Sequence, residues 1–302
     1  MKFIRSSALW FGLSIALSLA SAWLIATYGL RIGIDFQGGQ LIEAEFAEPV
    51  ALNELRTELE DAAREGAAPP TSIAESDAGT YLIRTSGNDE QLSALRQSLT
   101  DRVGEWEEIR FENVGPTVGK DLTRKAVLGV LYASIAIILY IAWAFRRVPA
   151  PTSSWQFGIT AVIALLHDLL ITIGAFALFG VLFGFEVDSL FITALLTVLG
   201  FSVHDTIVTY DRIRENLLKF PDGDFEEIVY KSIEQTIARS FNTSLTLIIV
   251  LLALVLLGGT SIKPFVSAIL VGTTAGTYSS ILLASQLLIA WQRVLRRKAA
   301  RA

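Results

Sequence analysis

Residues 201–215, FSVHDTIVTYDRIRE, determine the interpretation of the whole chain. Their first part continues an apolar run that begins at Ser189, so Asp205 lies inside a segment with the length and composition of a membrane-spanning helix. A carboxylate at that depth costs about 2.5–3.5 kcal/mol on insertion scales. Its presence indicates ion or proton handling, and Arg239 is the candidate partner for its charge.

Apolar residues dominate the composition, with 52% hydrophobic and 18% charged residues and a mean hydropathy of +0.50. A soluble domain carries about 25% charged residues. Because the apolar residues are concentrated in long runs, we expect a polytopic α-helical membrane protein. The sequence contains no cysteine, which excludes disulfides, thiolate catalysis and cysteine zinc sites. It shows no nucleic-acid-binding motif, so no nucleic acid is expected as a partner.

The first apolar run, residues 6–30, can cross a bilayer with some tilt. Lys2 and Arg5 precede it, which predicts that residues 1–30 form a cytoplasmic N-terminus and a first span. The alternative is a cleavable signal peptide, because Ala20-Ser21-Ala22 resembles a small-residue cleavage site. The apolar run continues past that site, and this favours a retained helix.

Residues 122–302 are predicted to form a bundle of five further spans. The predicted bounds are 126–145, 156–183, 189–210, 239–257 and 264–291. Residues 211–238 are predicted to form a charged cytoplasmic loop, with a turn at Pro221-Asp222-Gly223 and an amphipathic helix on either side of it. Lys and Arg follow the positive-inside bias at the short loops, with Lys263 as a mild exception. Both termini are therefore expected inside, and the basic C-terminal residues that support this are Arg293, Arg296, Arg297, Lys298 and Arg301.

Residues 31–121 are a strongly acidic insert between the first two spans, and we expect it to lie outside. Alternating or strand-like runs at 40–46, 72–75, 80–85 and 106–113 are separated by helical patterns after Leu52 and at 91–103. The order strand, helix, strand, strand, helix, strand predicts a ferredoxin-like α+β domain.

Both histidines directly precede an aspartate, as His167-Asp168 and His204-Asp205, and both pairs fall inside predicted spans. We interpret these four residues as candidates for a proton pathway, because an intramembrane ionisable group is functional by default. The alternatives are a buried acid satisfied by neighbouring hydroxyls and a histidine that donates one hydrogen bond to a carbonyl. Neighbours on a helix point about 100° apart, which argues against a metal site.

Polar residues near Asp205 could support its chemistry. Ser202 and Thr209 lie at −3 and +4 on its helix face and could hydrogen-bond the carboxylate or line a water path. On the fifth span, Arg239, Asn242, Thr243 and Thr246 recur on one helix face at the expected depth of Asp205. The alternative for Arg239 is an ordinary flanking arginine that extends to the membrane surface.

Small residues form a row on the sixth span. Gly272, Gly276 and Ser280 follow one another at four-residue spacing. Such a row permits close helix packing.

With these residues assembled, the chain resembles the SecF family, the smaller of the two kinds of subunit in SecDF, which is related to the RND transporters. The resemblance covers essentially the whole chain and is carried by GIDFQGG at 33–39, with Asp35, Gly38 and Gly39, by VGPTVG at 114–119, by His167-Asp168, by DTIV at 205–208 and by DRIREN at 211–216. His204 stands where the family more often has asparagine.

The resemblance implies a function in bacterial Sec protein translocation, with Asp205 and Arg239 serving proton conduction. It implies that the protein works with SecD at the SecYEG channel, together with YajC and YidC, and uses the proton-motive force to draw preproteins across the inner membrane. The insert would then be periplasmic, both termini cytoplasmic, and membrane lipids would surround the spans.

Two other functions remain open from the residues alone: an RND-type exporter of small molecules or lipids, and a non-conducting scaffold of the Sec channel. One compact outside domain leaves little room for a substrate vestibule, which argues against the exporter. No enzyme active site, cofactor motif or phosphate loop is present in the sequence. Protons are favoured over sodium because no oxygen cage for a cation is evident.

Overall fold

The structure is a computed structural model that describes residues 5–75, 79–149 and 151–299. Lys2 and Arg301, which the sequence analysis used to orient the chain, lie outside these residues. In chain order the elements are α1 (Ser7–Tyr28), α2 (Ile34–Gln37), β1 (Gly39–Phe46), α3 (Leu52–Arg64), β2 (Pro70–Glu75), β3 (Tyr81–Thr85), α4 (Asp89–Ser98), β4 (Trp106–Val114), α5 (Pro116–Ala144), α6 (Ser154–Phe183), α7 (Ser189–Lys219), α8 (Phe225–Leu257), α9 (Lys263–Tyr278) and α10 (Ala284–Ala299).

Within the described residues, six helical segments are long and apolar enough to cross a membrane. They are α1, α5, α6, α7, α8 and the segment 260–298 that contains α9 and α10. The prediction of a six-span helical membrane protein is therefore confirmed.

Helices α7 and α8 extend well beyond the predicted spans. The predicted spans end at residue 210 and begin at residue 239, whereas α7 continues to Lys219 and α8 begins at Phe225. Hydropathy marks where a helix leaves the apolar layer, but the charged residues beyond that point still favour helix. The helices predicted on either side of the turn in 211–238 are therefore present, and they are continuous extensions of the two spans.

The sixth span was predicted as one continuous span over residues 264–291. In the structure it is not one regular helix. Residues Ser279–Leu283 between α9 and α10 form a π-helical segment, whose five side chains are all buried. Such segments are rare and occur frequently at functional sites. Here the segment follows directly on Tyr278 and includes Ser279, which both belong to the site described below.

Helices α6, α7 and α9 form the centre of the bundle. Helix α6 packs against α1, α5 and α9, and α7 packs against α8 and α9. Gly272 and Gly276 of α9 face α7, where a Cβ on Gly272 would overlap Val198 and one on Gly276 would lie 3.2 Å from Cβ of Ser202. The small residues therefore allow α9 to approach α7 closely, as the row on the sixth span predicts.

The insert folds as an α+β domain between α1 and α5. Its four-stranded antiparallel sheet has the order β2-β3-β1-β4, and the connections follow the βαββαβ pattern. Ile42 of β1 and Ile83 of β3 are fully buried. They share a core with leucines from α3, from α4 and from the π-helical turn that follows α4, namely Leu55, Leu59, Leu92, Leu95 and Leu99. This core makes the domain ferredoxin-like.

Candidate functional site: two buried carboxylates in the helix bundle

Asp205 lies in the middle of α7 and is buried, with 2% of its surface exposed. Its Oδ2 accepts a hydrogen bond from Oγ of Ser244 on α8 at 3.1 Å. The predicted ion pair with Arg239 is absent from the described residues, and Ser244 takes its place. Arg239 and His204 are nevertheless near enough to interact electrostatically with the carboxylate.

Arg239 lies on the opposite side of α8 from the residue that contacts Asp205. It precedes Ser244 by five positions, which rotates its side chain by about 140° around the helix at 100° per residue. Arg239 and the polar residues that share its face, Asn242, Thr243 and Thr246, are all exposed, whereas Ser240 and Ser244 are buried. The position of Arg239 along α8 could be predicted from the sequence, but the direction in which the helix presents its side chain could not.

Of the two hydroxyls predicted to support Asp205, neither binds it. Ser202 instead donates to Oδ2 of Asp168 on α6 at 2.6 Å. Oγ1 of Thr209 is buried and has no hydrogen-bond partner among the described residues. His204 is exposed on the surface of α7 and does not contact the carboxyl of Asp205.

The densest polar network surrounds Asp168, which is fully buried on α6. Its Oδ2 accepts from Ser202 of α7 and, at 2.7 Å, from Oγ of Ser279 in the π-helical segment. Its Oδ1 lies 3.0 Å from Nδ1 of His167. One carboxylate thus connects three helical elements.

His167 extends this network toward α1. Its Nε2 is 2.8 Å from the hydroxyl of Tyr278, and Trp10 of α1 stacks on Tyr278 with ring centroids 6.4 Å apart. A neutral imidazole with its proton on Nδ1 satisfies both contacts, because it donates to Asp168 and accepts from the tyrosine. If Nε2 also carried a proton, this N–H would donate a hydrogen bond to the hydroxyl oxygen of Tyr278.

The sequence analysis did not identify Ser244, Ser279 and Tyr278 as site residues. For Ser244 a signal was present, because Ser240 and Ser244 are four residues apart and share one face of α8. For Ser279 and Tyr278 there was none, since their positions depend on the π-helical segment.

These contacts and the buried acids make a site that can hold or release protons at two carboxyl groups. No cluster of three or more potential metal ligands occurs in the described part of the chain.

The α6–α7 connection, residues 184–188, joins the bundle to the α+β domain. Oδ2 of Asp35 accepts from the backbone N–H of Ser189 at 2.8 Å, and Oδ1 of Asp188 accepts from that of Phe191 at 2.7 Å, so that two carboxylates occupy the N-terminus of α7. The N–H of Gly33 donates to the carbonyl of Val187 at 2.8 Å. The glycine-rich motif after the first span therefore attaches directly to the helix that carries Asp205.

A partly buried ion pair adds a second attachment. Nε of Arg84 on β3 is 2.7 Å from Oε2 of Glu186, with side chains 19% and 12% exposed, and Ser72 of β2 donates to the same glutamate. Burial raises the pKa of Glu186, opposed by the nearby Arg84. Burial also raises the pKa of Asp188, opposed by the hydrogen bond from Phe191.

Comparison with known proteins agrees with this architecture. Residues 94–294 match the family model "Protein export membrane protein SecD/SecF, C-terminal", and residues 23–50 match "SecD/SecF GG Motif". These matches and the six-span fold define a multi-pass protein-export membrane protein. The protein translocase subunit SecF of Thermobaculum terrenum is 44% identical over 94% of this chain and 93% of its own length, and that of Anaerolinea thermophila is 39% identical over 94% and 92%. The chain belongs to the SecF family of protein translocase subunits.

Two solved structures of SecDF are also similar. The crystal structure of SecDF from Thermus thermophilus, described as a translocon-associated membrane protein, matches with a TM-score of 0.83 at 32% identity, over 97% of this chain and 39% of that chain. SecDF in a super-membrane-facing form matches with a TM-score of 0.69 at the same identity, over 99% of this chain and 40% of that one. The chain thus spans about two fifths of the length of the SecDF chains.

Proposed function

We propose that this protein is an accessory subunit of the bacterial Sec translocase that, with SecD, couples the proton-motive force to a late stage of preprotein export. The observation that carries the proposal is the burial of Asp205 and Asp168 in the bundle, each held by hydroxyls from other helices. A merely structural polar contact between helices contributes only about 0.6 kcal/mol, which is small against the insertion cost of a carboxylate.

The two acids are mechanically connected through α7. Ser202, which binds Asp168, and Asp205 are three residues apart on that helix. Protonation of either carboxyl removes a negative charge from the bundle and changes what its hydroxyl donors can bind. A shift of α7 would alter both sites together, and each charge that crosses the membrane contributes about 2.3 kcal/mol per 100 mV.

The outside domain is placed to respond to such a shift. Asp35 binds the N-terminus of α7, and Arg84 binds Glu186 just before it. This chain matches two SecDF structures at the same identity but with TM-scores of 0.83 and 0.69. A family that adopts more than one arrangement would give such a difference. We therefore propose a rigid-body movement of the domain as the output of the proton cycle.

The exposed polar face of α8 is an argument for a partner subunit that covers it in the membrane. Arg239, Asn242 and Thr243 are exposed in the isolated chain, and Arg239 also lines an open cavity beside α7. Exposed polar side chains on a membrane helix are unfavourable against lipid. We propose that SecD covers this face and brings a further carboxylate to the proton pathway. Arg239 then acts across the subunit interface rather than through a contact within this chain.

The proposed location is the bacterial inner membrane, with both termini in the cytoplasm and the βαββαβ domain in the periplasm. The other partners proposed are SecYEG, YajC, YidC and the translocating preprotein. The role is one of transport and not of enzyme catalysis.

The replacement Asp205→Asn tests the proposal. It preserves the shape and the hydrogen bond to Ser244 but removes the titratable proton, so we expect loss of the proton-dependent stimulation of secretion while co-purification with SecD is retained. The matched control is Asp222→Asn in the exposed α7–α8 turn, which should behave as wild type. Normal stimulation with Asp205→Asn would exclude Asp205 from the mechanism and favour a scaffold.

A second variant examines the proposed interface. Arg239→Met keeps an unbranched, flexible side chain and removes its charge. We expect secretion to lose its dependence on the proton gradient to a similar extent. Wild-type behaviour would reduce Arg239 to a flanking arginine at the membrane surface.

A further inference from the structure

We infer that Thr209 and Ser240 form a hydroxyl and water relay that connects Asp205 with the cavity at the end of the bundle near the α7–α8 turn. The inference rests on the proposed proton coupling and adds the route by which a proton leaves or reaches the carboxyl. It assigns a role to Ser240, and it gives Thr209 a role other than binding Asp205.

The register of the antiparallel pair α7 and α8 brings the two hydroxyls together. Asp205 meets Ser244, and Thr209 and Ser240 each lie four residues closer to the turn that joins the helices. At 1.5 Å per residue, both are displaced by about 6 Å, or roughly one helical turn, in the same direction. They therefore form the next layer of the same interface.

Contacts nearer the turn confirm this register. The amide Nδ2 of Asn216 donates to Ser232 Oγ at 2.8 Å, and Nε of Arg212 donates to Oε1 of Gln235 at 2.6 Å. Polar pairs thus follow one another along the α7–α8 interface from the turn up to Asp205. The layer of Thr209 and Ser240 lies between these pairs and the buried carboxylate.

The hydroxyls of Thr209 and Ser240 are buried, with 0% and 1% of the residue exposed, and have no hydrogen-bond partner among the described residues. Buried threonines nearby differ in this respect, because Thr206 and Thr236 each donate to the carbonyl four residues earlier. Leaving a buried hydroxyl unpaired costs about 1–3 kcal/mol. Two such groups facing one interface are satisfied by water, which bridges buried polar groups in this way.

An open cavity of about 430 Å³ adjoins this layer. It is lined by Val208 and Arg239, the immediate neighbours of Thr209 and Ser240, and by Thr236 one turn nearer the end of the bundle. The charged residues around it are Asp211, Arg212, Arg214, Glu215 and Arg239. Water in the cavity therefore comes within one helical turn of the two hydroxyls, and they in turn lie within one turn of Asp205.

Water access can be measured directly because the chain has no cysteine. In full-length protein assembled with SecD, Ser240→Cys and Thr209→Cys should react with a small charged methanethiosulfonate reagent added from the cytoplasmic side, since such reagents require a hydrated thiolate. Thr172→Cys is the control, because Thr172 is 1% exposed and its hydroxyl donates to the carbonyl of Asp168. Ser240→Cys and Thr209→Cys as unreactive as Thr172→Cys would overturn the relay.

A functional test uses near-isosteric removal of the hydroxyls. Thr209→Val combined with Ser240→Ala should slow proton-dependent secretion by about 10²-fold, the lower end of what a positioned proton-transfer group contributes. Thr209→Ser should retain activity because it keeps the hydroxyl, and Thr172→Val should resemble wild type. Retained co-purification with SecD shows that the double variant is assembled.

The outcomes separate the relay from the proposed function. If Asp205→Asn abolishes stimulation but the double variant behaves as wild type, the relay is wrong and proton coupling stands. If Asp205→Asn itself has no effect, proton coupling fails and the relay fails with it. The relay is supported if three results occur together. Secretion is slow in the double variant, it is normal in Thr172→Val, and it is retained in Thr209→Ser.

Discussion

At the scale of single residues, glycines at the junction determine how closely the α+β domain and the bundle approach each other. Gly38 and Gly39 adopt φ angles of 81° and 130°, a region that residues with a side chain rarely occupy. A Cβ on Gly39 would lie 2.9 Å from the carbonyl oxygen of Thr85, and one on Gly119 would lie 2.7 Å from that of Phe36. These glycines let the chain turn from α2 into β1 while β4 continues into α5.

The first prediction concerns Gly39. Gly39→Ala should lower the free energy of unfolding by about 1–3 kcal/mol, because it forces a strained φ angle and a close contact with the carbonyl of Thr85. Gly115→Ala is the control, since Gly115 has a φ of −66° and open space around its Cα. Thermal unfolding of the full-length protein in detergent measures both. Equal melting temperatures would show that the junction tolerates a side chain.

At the scale of elements, α7 is the helix on which the site and the junction meet. Its N-terminus is bound by the carboxylates of Asp188 and Asp35, both favourable at the positive end of a helix. Its middle carries Ser202 and Asp205, and its far end contacts α8 through Asn216. A change at either end of α7 can therefore be transmitted to the buried acids.

The second prediction follows from the raised pKa of Asp188. Over the pH range between the ordinary aspartate value and this raised value, the native state holds a proton that the unfolded chain has lost. The free energy of unfolding should therefore fall as the pH rises through that range. Asp188→Asn removes this contribution, so the stability of wild type relative to the variant should decrease with rising pH.

Melting temperatures measured from about pH 3 to pH 8 provide the test, since this range includes the ordinary aspartate pKa. Asp89→Asn, in the exposed first turn of α4, is the control for loss of a surface acid. Parallel curves for wild type and Asp188→Asn would contradict the prediction.

At the scale of the whole molecule, the α+β domain is bound to the bundle at the α6–α7 connection, in addition to the packing of α2 against α5. Glu186 forms an ion pair with Arg84 and accepts a hydrogen bond from Ser72, and both of these residues belong to the sheet. The backbone of Val187 forms hydrogen bonds with the backbone of Arg31 and Gly33. The domain and the hairpin of α6 and α7 therefore share a polar interface. The coupling proposed above between the buried acids and the domain would act through this interface.

The third prediction tests that interface. Arg84→Met leaves the partly buried carboxylate of Glu186 without its cation, which should destabilise the protein by up to about 3 kcal/mol. Adding Glu186→Gln should recover part of the loss, because the uncompensated charge is then removed. Arg64→Met, which breaks an exposed pair with Asp61, should change stability by less than about 1 kcal/mol.

Chemical or thermal unfolding of the three variants in detergent gives the comparison, and secretion assays show whether coupling is lost as well. An Arg84→Met variant as stable as Arg64→Met would indicate that the ion pair contributes little to the attachment. A double variant less stable than Arg84→Met would show that Glu186 binds through Ser72 and not mainly through its charge.

The sequence by itself determined the six apolar spans, the α+β insert and the positions of the two acids along their helices, because hydropathy and period are local properties of the chain. Only the tertiary structure decided which groups meet. It turned Ser202 toward Asp168 instead of Asp205, placed Ser244 where Arg239 was expected, and brought Ser279 into the site through a π-helical segment. The physical reason is that depth follows from position along a helix, whereas direction depends on how α6, α7, α8 and α9 pack against one another. That packing depends on close approaches such as Gly272 and Gly276 against α7, which a pattern along one helix does not specify.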